Sequence, residues 1–213
     1  MAAFQRAPMH REFLYTPAME RRLTAIHRVF AASLVCAAGL FIASAVNGKN
    51  GAQDEVGKRL SDRAEIAELA YCYAEGTDAI GGGDLAAGKA VYGDCFTAGA
   101  TVKAWFPGAD FNGPPGLSAT GTDAWADAVA SVFTGNGYIA TQHAMSNIRI
   151  SLDGNSGTMR SYLSATHVVD PDGAVDLAHG TYVDTVVRTP QGWRISARSL
   201  YLIDFLRLES PTP

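Results

Sequence analysis

Cysteine pairs and clustered histidines are missing from this sequence of 213 residues. Its three cysteines form no CxxC motif and its five histidines show no ligand spacing, so no metal site is expected. No internal repeat is evident, which leaves one domain of ordinary size plus an appendage as the default. Charge is sparse, at 18% against 47% hydrophobic residues, a globular rather than a disordered composition. Basic side chains are scarcest in the body of the chain. Residues 1–28 hold five Arg against two Glu, so of 17 basic and 21 acidic residues the remainder keeps 12 and 19, a formal charge of −7. Such a body has no basic stripe to neutralise phosphates, which argues against nucleic acid as a partner.

The basic start leads into an uncharged, alanine-rich run from Val29 to Val46. A positive flank, an apolar run and the small residues Ala43-Ser44-Ala45 describe an export signal cut after Ala45. About 18 apolar residues also reach the lower edge of what spans a bilayer. Membrane attachment through residues 29–46 is therefore the competing expectation, and a folded core helix a third. The protein is expected to be exported, periplasmic or extracellular, and anchored if the run is kept. Residues 47–60 are polar and read as a linker, ahead of a domain over 61–208. Cys36 lies within the run and would be lost on processing. Cys72, in a helical pattern, and Cys95, beside Phe96, read as two buried thiols rather than a disulfide.

Asp62-Arg63-Ala64-Glu65 offers an N-cap with a reciprocal Glu, and Ile66, Leu69, Ala70, Tyr73 and Thr77 follow at helical spacing, which predicts a first helix over 61–80. Gly81-Gly82-Gly83 ends it. Asp84 caps a short second helix, 101–106 reads as a strand, and 107–121 is too rich in Pro and Gly for anything but a long loop, of the kind that often walls a pocket. Thr122 is expected to cap a third helix bearing Trp125, Val129, Val132 and Phe133 on one face. The period then switches to alternation. Four strand-like runs, 138–152, 158–169, 175–188 and 193–206, are separated by turn sequences of hairpin type. The expected fold class is α+β, with three N-terminal helices packed on the concave face of a curved antiparallel sheet.

Asp78, His143 and His167 are the residues that could move protons. His167 shares parity with Met159, Leu163, Ala165 and Val169, so it points with the apolar set, where a buried imidazole bonded to a carbonyl is the bland alternative. The parity mates of His143 are mixed, which a β-bulge or a strand crossing from pocket to surface would reconcile. Asp78 alone reads as a solvated carboxylate near a helix end, and Arg198 as an exposed charge.

Taken together, Tyr73-Ala74-Glu75-Gly76-Thr77-Asp78, Thr141-Gln142-His143, Leu163-Ser164-Ala165-Thr166-His167 and Gly192-Trp193-Arg194-Ile195 resemble the SnoaL-like branch of the nuclear transport factor 2-like superfamily. The likeness covers about residues 60–206. Scytalone dehydratases are similar in the Asp and the two His contexts, and bile-acid 7α-dehydratases in pairing a Tyr with an Asp five residues on, with a strand His and a late Arg that Arg198 could match. Thr77 replaces the tyrosine that precedes the Asp in scytalone dehydratases, and Tyr182 stands near their pocket Asn. The resemblance implies a cone-shaped NTF2-like (cystatin-like) fold with a deep apolar pocket, homodimers or higher homo-oligomers, and no cofactor. It implies a dehydratase acting on an apolar, cyclic hydroxy-carbonyl compound, or an isomerase that returns the proton to another carbon. His143 held by Asp78 would be the proton carrier, His167 and Tyr73 would polarise the carbonyl, and Arg198 would help. Trp105, Phe106, Trp125, Met145, Leu163 and Tyr182 would line the pocket. A non-catalytic exported module that binds a small molecule in the same cone is the alternative from another class.

Overall fold

In the computed structural model, residues 43–169 and 173–209 are described, with side chains from residue 53 onward. Most of the apolar run 29–46 lies outside them, as do the tip of the 170–172 turn and the last residues. Among the described residues no helix is long and apolar enough to cross a membrane.

Helix α1 spans Ala43–Gly81, α2 Leu85–Cys95 and α3 Thr122–Gly135. The strands are β1 Phe96–Trp105, β2 Leu117–Thr120, β3 Tyr138–Asp153, β4 Ser156–Val169, β5 Val175–Thr189 and β6 Gly192–Leu208. They form one curved, unclosed sheet in the order β2-β1-β6-β5-β4-β3. The core lies between this sheet and the helices. Ile66, Leu69, Ala70, Tyr73 and Thr77 of α1 are all buried, the stripe that helical spacing predicts.

Several local expectations need correction. The first helix begins well before residue 61: residues 47–60 are helical, and 53–61 are exposed on every side. Asp62 is therefore no N-cap. It lies inside α1, 7% exposed, and accepts hydrogen bonds from Trp193 Nε1 at 3.2 Å and from Arg188, whose guanidinium also covers the Trp193 ring at 4.6 Å. The capping motif is a local signal, whereas the partners that bury this carboxylate come from the far end of the chain. Asp84 does cap α2, accepting from the Ala87 N–H at 2.9 Å. At α3 the cap position falls to Gly121, at φ 91°, a left-handed conformation that suits glycine and not Thr122.

The sheet is mixed. β3 to β6 form an antiparallel meander, but β1 runs parallel to β6 and pairs antiparallel with β2, a strand inside the segment expected to be wholly loop. The thiol reading also fails, since Cys72 and Cys95 are joined in a disulfide that fastens α1 to the end of α2. One lies on each helix, and their Cα atoms are 5.9 Å apart, within bridging range.

Candidate active site

Helix α1 ends against strand β3. A Cβ added at Gly81 would collide with the Thr141 side chain, so the missing side chain is what allows β3 to approach this closely. Asp78 uses the approach fully. It accepts hydrogen bonds from Thr141 Oγ1 at 2.9 Å, from the backbone N–H of His143 at 3.0 Å and from His143 Nδ1 at 2.6 Å. Burial opposes ionisation of Asp78, but the two bonds from His143, its charge and the Thr141 bond outweigh burial and hold the carboxyl below its ordinary range. A carboxylate only accepts, so Nδ1 of His143 carries its proton and Nε2 is the open nitrogen.

The solvated reading of Asp78 is thus replaced by a half-buried one. The mixed parity around His143 has the cause that alternation required: β3 takes an extra residue between Ser146 and Arg149, with Asn147 at φ 52°. Thr141, His143 and Met145 lean inward before the bulge, and Ile148, Ile150 and Leu152 after it.

His167 comes from β4, next to Leu163 and Ala165, and is 3% exposed. Its ring lies 5.4 Å from that of His143, edge to face, and is flanked by Phe133, Tyr138 and Phe205. Nδ1 lies 3.3 Å from the backbone carbonyl of Asp176, which can only accept, so this imidazole too is protonated at Nδ1. Burial first and the neighbouring His143 second push its pKa down to about 4. His167 is neutral at physiological pH and presents a lone pair, so it accepts hydrogen bonds and does not polarise a carbonyl.

Both rings border an apolar cavity of about 90 Å³. Tyr73, Phe106, Trp125, Leu163 and Tyr182 line it as expected, together with Tyr138, Phe133 and Phe205. Exposed faces of Phe106 and Phe205, at 38% and 45%, mark its mouth. Tyr73 accepts from Trp125 Nε1 at 3.4 Å, and its hydroxyl neighbours those of Tyr92 and Tyr182. Thr77 is committed inward, to the Tyr73 carbonyl at 2.8 Å and the Tyr92 hydroxyl at 2.7 Å. The Tyr138 hydroxyl is committed to Asp176 at 2.8 Å, and Arg207 grips the same carboxylate at 2.7 and 2.8 Å.

Three expected residues are elsewhere. Trp105 does not border the cavity: Ala104 faces it, while Trp105 stacks on Tyr201 at 4.9 Å and donates to the Gly113 carbonyl at 3.0 Å. Met145 packs against the core outside the cavity wall. Arg198 is neither exposed nor in contact with the cavity. An extra residue at Ser196 shifts β6 by one position, turning Arg198 into the core opposite Asp184. There it is 1% exposed, bonds both Asp184 oxygens at 2.7 Å, and lies over the rings of Tyr73 at 4.1 Å and Tyr182 at 4.3 Å. Tyr138 and Phe205 were not singled out from sequence. Both follow or precede bulges, at Ile139 and Ile203, which alternation does not anticipate. Among the described residues no group of three or more His, Cys, Asp or Glu could hold a metal.

The model of one family, described as a SnoaL-like domain, matches residues 58–199. A comparison with curated proteins finds no match. Among solved structures, a candidate scytalone dehydratase from Novosphingobium aromaticivorans is 21% identical, over 73% of this chain and 93% of that one, with a TM-score of 0.56. An NTF2-like protein with a cystatin-like fold from the same organism is 20% identical, over 78% and 93%, with a TM-score of 0.52. The hexachlorocyclohexane dehydrochlorinase LinA-type3 of Novosphingobium barchaimii is 16% identical, over 73% and 97%, with a TM-score of 0.56. At these identities the likeness establishes the NTF2-like fold.

Proposed function

Since this chain belongs to the SnoaL-like domain family, with a protonable His–Asp pair at an apolar cavity, we propose that it is a cofactor-independent lyase removing water from a cyclic hydroxy-carbonyl compound. The observation that carries this reading is the 2.6 Å contact between His143 Nδ1 and Asp78, which leaves Nε2 as the open nitrogen of a ring that borders the cavity. Nε2 of His143 takes the proton from the carbon beside the substrate carbonyl. Asp78 stabilises the imidazolium that results, as a carboxylate bonded to the opposite ring nitrogen does. Tyr73 donates its phenolic hydrogen to the carbonyl oxygen as negative charge develops there. Nε2 then returns the proton to the hydroxyl on the next carbon, which departs as water, and a carbon–carbon double bond remains.

Two structural neighbours are described as a candidate scytalone dehydratase and a dehydrochlorinase, names that fit elimination. The Cys72–Cys95 disulfide fits an oxidising, extracytoplasmic location.

The test uses 3-hydroxycyclohexanone as the probe and follows the absorbance of the enone product. His143→Ala and Asp78→Asn should each lower turnover at least about a hundredfold. Turnover that survives both substitutions overturns the lyase reading and leaves a binding module.

A further inference from the structure

We infer a second binding site on the outer face of the sheet, away from the helices: a groove that takes a small organic carboxylate, its head held by Arg160 and Arg149. The inference is independent of the lyase reading, since neither arginine borders the apolar cavity.

Exposed Arg160, Tyr162 and Ser164 alternate along β4 with buried Met159, Ser161, Leu163 and Ala165, so they project away from the core. Register sets Arg149 of β3 directly opposite Arg160, and both are exposed. Like charges in cross-strand register repel. Among the described residues neither arginine forms an ion pair, although acids outnumber bases in the body of the chain. Asp184, next to the cross-strand partner of Arg160, Val183, faces the core and is taken by Arg198. A bound anion is what would turn this repulsion into binding energy.

Arg160 borders an open groove of about 540 Å³ that runs past Tyr162 to His179 and Asp204. Its side chains can supply hydrogens to an acceptor. Arg160 Nη1 donates to the Tyr162 hydroxyl at 3.4 Å, its guanidinium over that ring at 4.9 Å, so the phenolic hydrogen is left for the ligand. The hydroxyls of Ser146, Ser164 and Thr181 line the same groove and can each donate. Asp204, the one acid there, is occupied: it accepts from the backbone N–H of His179 at 3.1 Å and from its Nδ1 at 2.8 Å. A planar carboxylate matches the fork of a guanidinium. Ile203, 65% exposed, borders the groove as well, so a ligand with a short apolar body gains over a bare ion.

Calorimetric titration of the intact protein at low salt provides the test, with benzoate, benzamide and acetate as probes. Benzoate should bind at least about tenfold more tightly than benzamide, which has the shape without the charge, and than acetate, which has the charge without the body. Arg160→Gln should erase the preference over benzamide, and Arg149→Gln should reduce it by about threefold or more. Lys103→Gln, which removes a positive charge from β1, should leave it in place. Since the two arginines repel when no ligand is bound, Arg149→Gln should not lower the melting temperature of the ligand-free protein. Equal affinities for benzoate and either of the other probes, a preference that survives Arg160→Gln, an equal loss in Lys103→Gln, a clear fall in the melting temperature of Arg149→Gln, or no measurable binding of benzoate overturns the inference. Loss of turnover in His143→Ala, measured separately, would leave the lyase reading standing in each of those cases.

Discussion

His167 illustrates how much a single environment decides. Its ring meets that of His143 edge to face, with Tyr138 at its side and the Asp176 carbonyl behind it, and the net result of burial and these neighbours is a pKa of about 4 against 6.5 for a free imidazole. Between those two values the unfolded chain binds a proton at residue 167 that the folded protein refuses. The stability due to this group is therefore complete above pH 6.5 and lost as pH falls toward 4, by at most roughly 3 kcal/mol. Urea denaturation at pH 7 and at pH 4.5 measures the difference. His167→Phe should remove most of it and leave only the steeper loss below about pH 4 from Asp78 and Asp176, whose carboxyls are held low. An unchanged slope in that variant would count against a neutral buried imidazole. At this scale the sequence was informative: Asp78, His143 and His167 stood out by residue type, the family resemblance added Tyr73, and His143, His167 and Tyr73 border one cavity with Asp78 behind His143.

At the scale of the element, alternation along a strand assigns faces only as far as the next bulge. It placed His167 correctly because β4 itself carries no extra residue and pairs with β5 without interruption from Ser156 to Val168. It failed for Arg198, because the extra residue at Ser196 exchanges the faces of everything after it. The consequence is energetic as well as geometric. Arg198 and Asp184 form an ion pair with both side chains fully buried, so removing one charge strands the other. Arg198→Met should destabilise the protein by about 3–5 kcal/mol in chemical denaturation, and adding Asp184→Leu should recover most of that loss. A cost below about 1 kcal/mol for the single change would contradict burial of the pair. Trp105 follows the same logic. Parity puts its neighbour Ala104 in the cavity wall and Trp105 behind it, which an aromatic residue on a short strand does not announce.

For the molecule as a whole, the disulfide is the main covalent restraint. Cys72 adjoins Tyr73 and Cys95 adjoins Phe96, and those two rings meet edge to face at 5.9 Å, so the bridge ties the junction of α2 and β1 to the helix that carries Tyr73. With a sequence separation of 23 between the cysteines, loop-closure entropy assigns it roughly 3 kcal/mol. The Cys72→Ser, Cys95→Ser double variant should lose about that much stability, and dithiothreitol should shift the native melting temperature without shifting that of the variant. The α+β class, the helix stripe over Ile66 to Thr77 and the strand runs from Tyr138 onward could all be read from the chain, because periodicity and turn chemistry are local properties, whereas the His–Asp pairing was implied by the family resemblance. Contacts across the fold were decided only in three dimensions. The parallel pairing of β1 with β6, the burial of Asp62 by Trp193, the Cys72–Cys95 bridge and the inward turn of Arg198 each join segments whose partners no local pattern specifies, and the bulges that aim them are set by packing rather than by residue type.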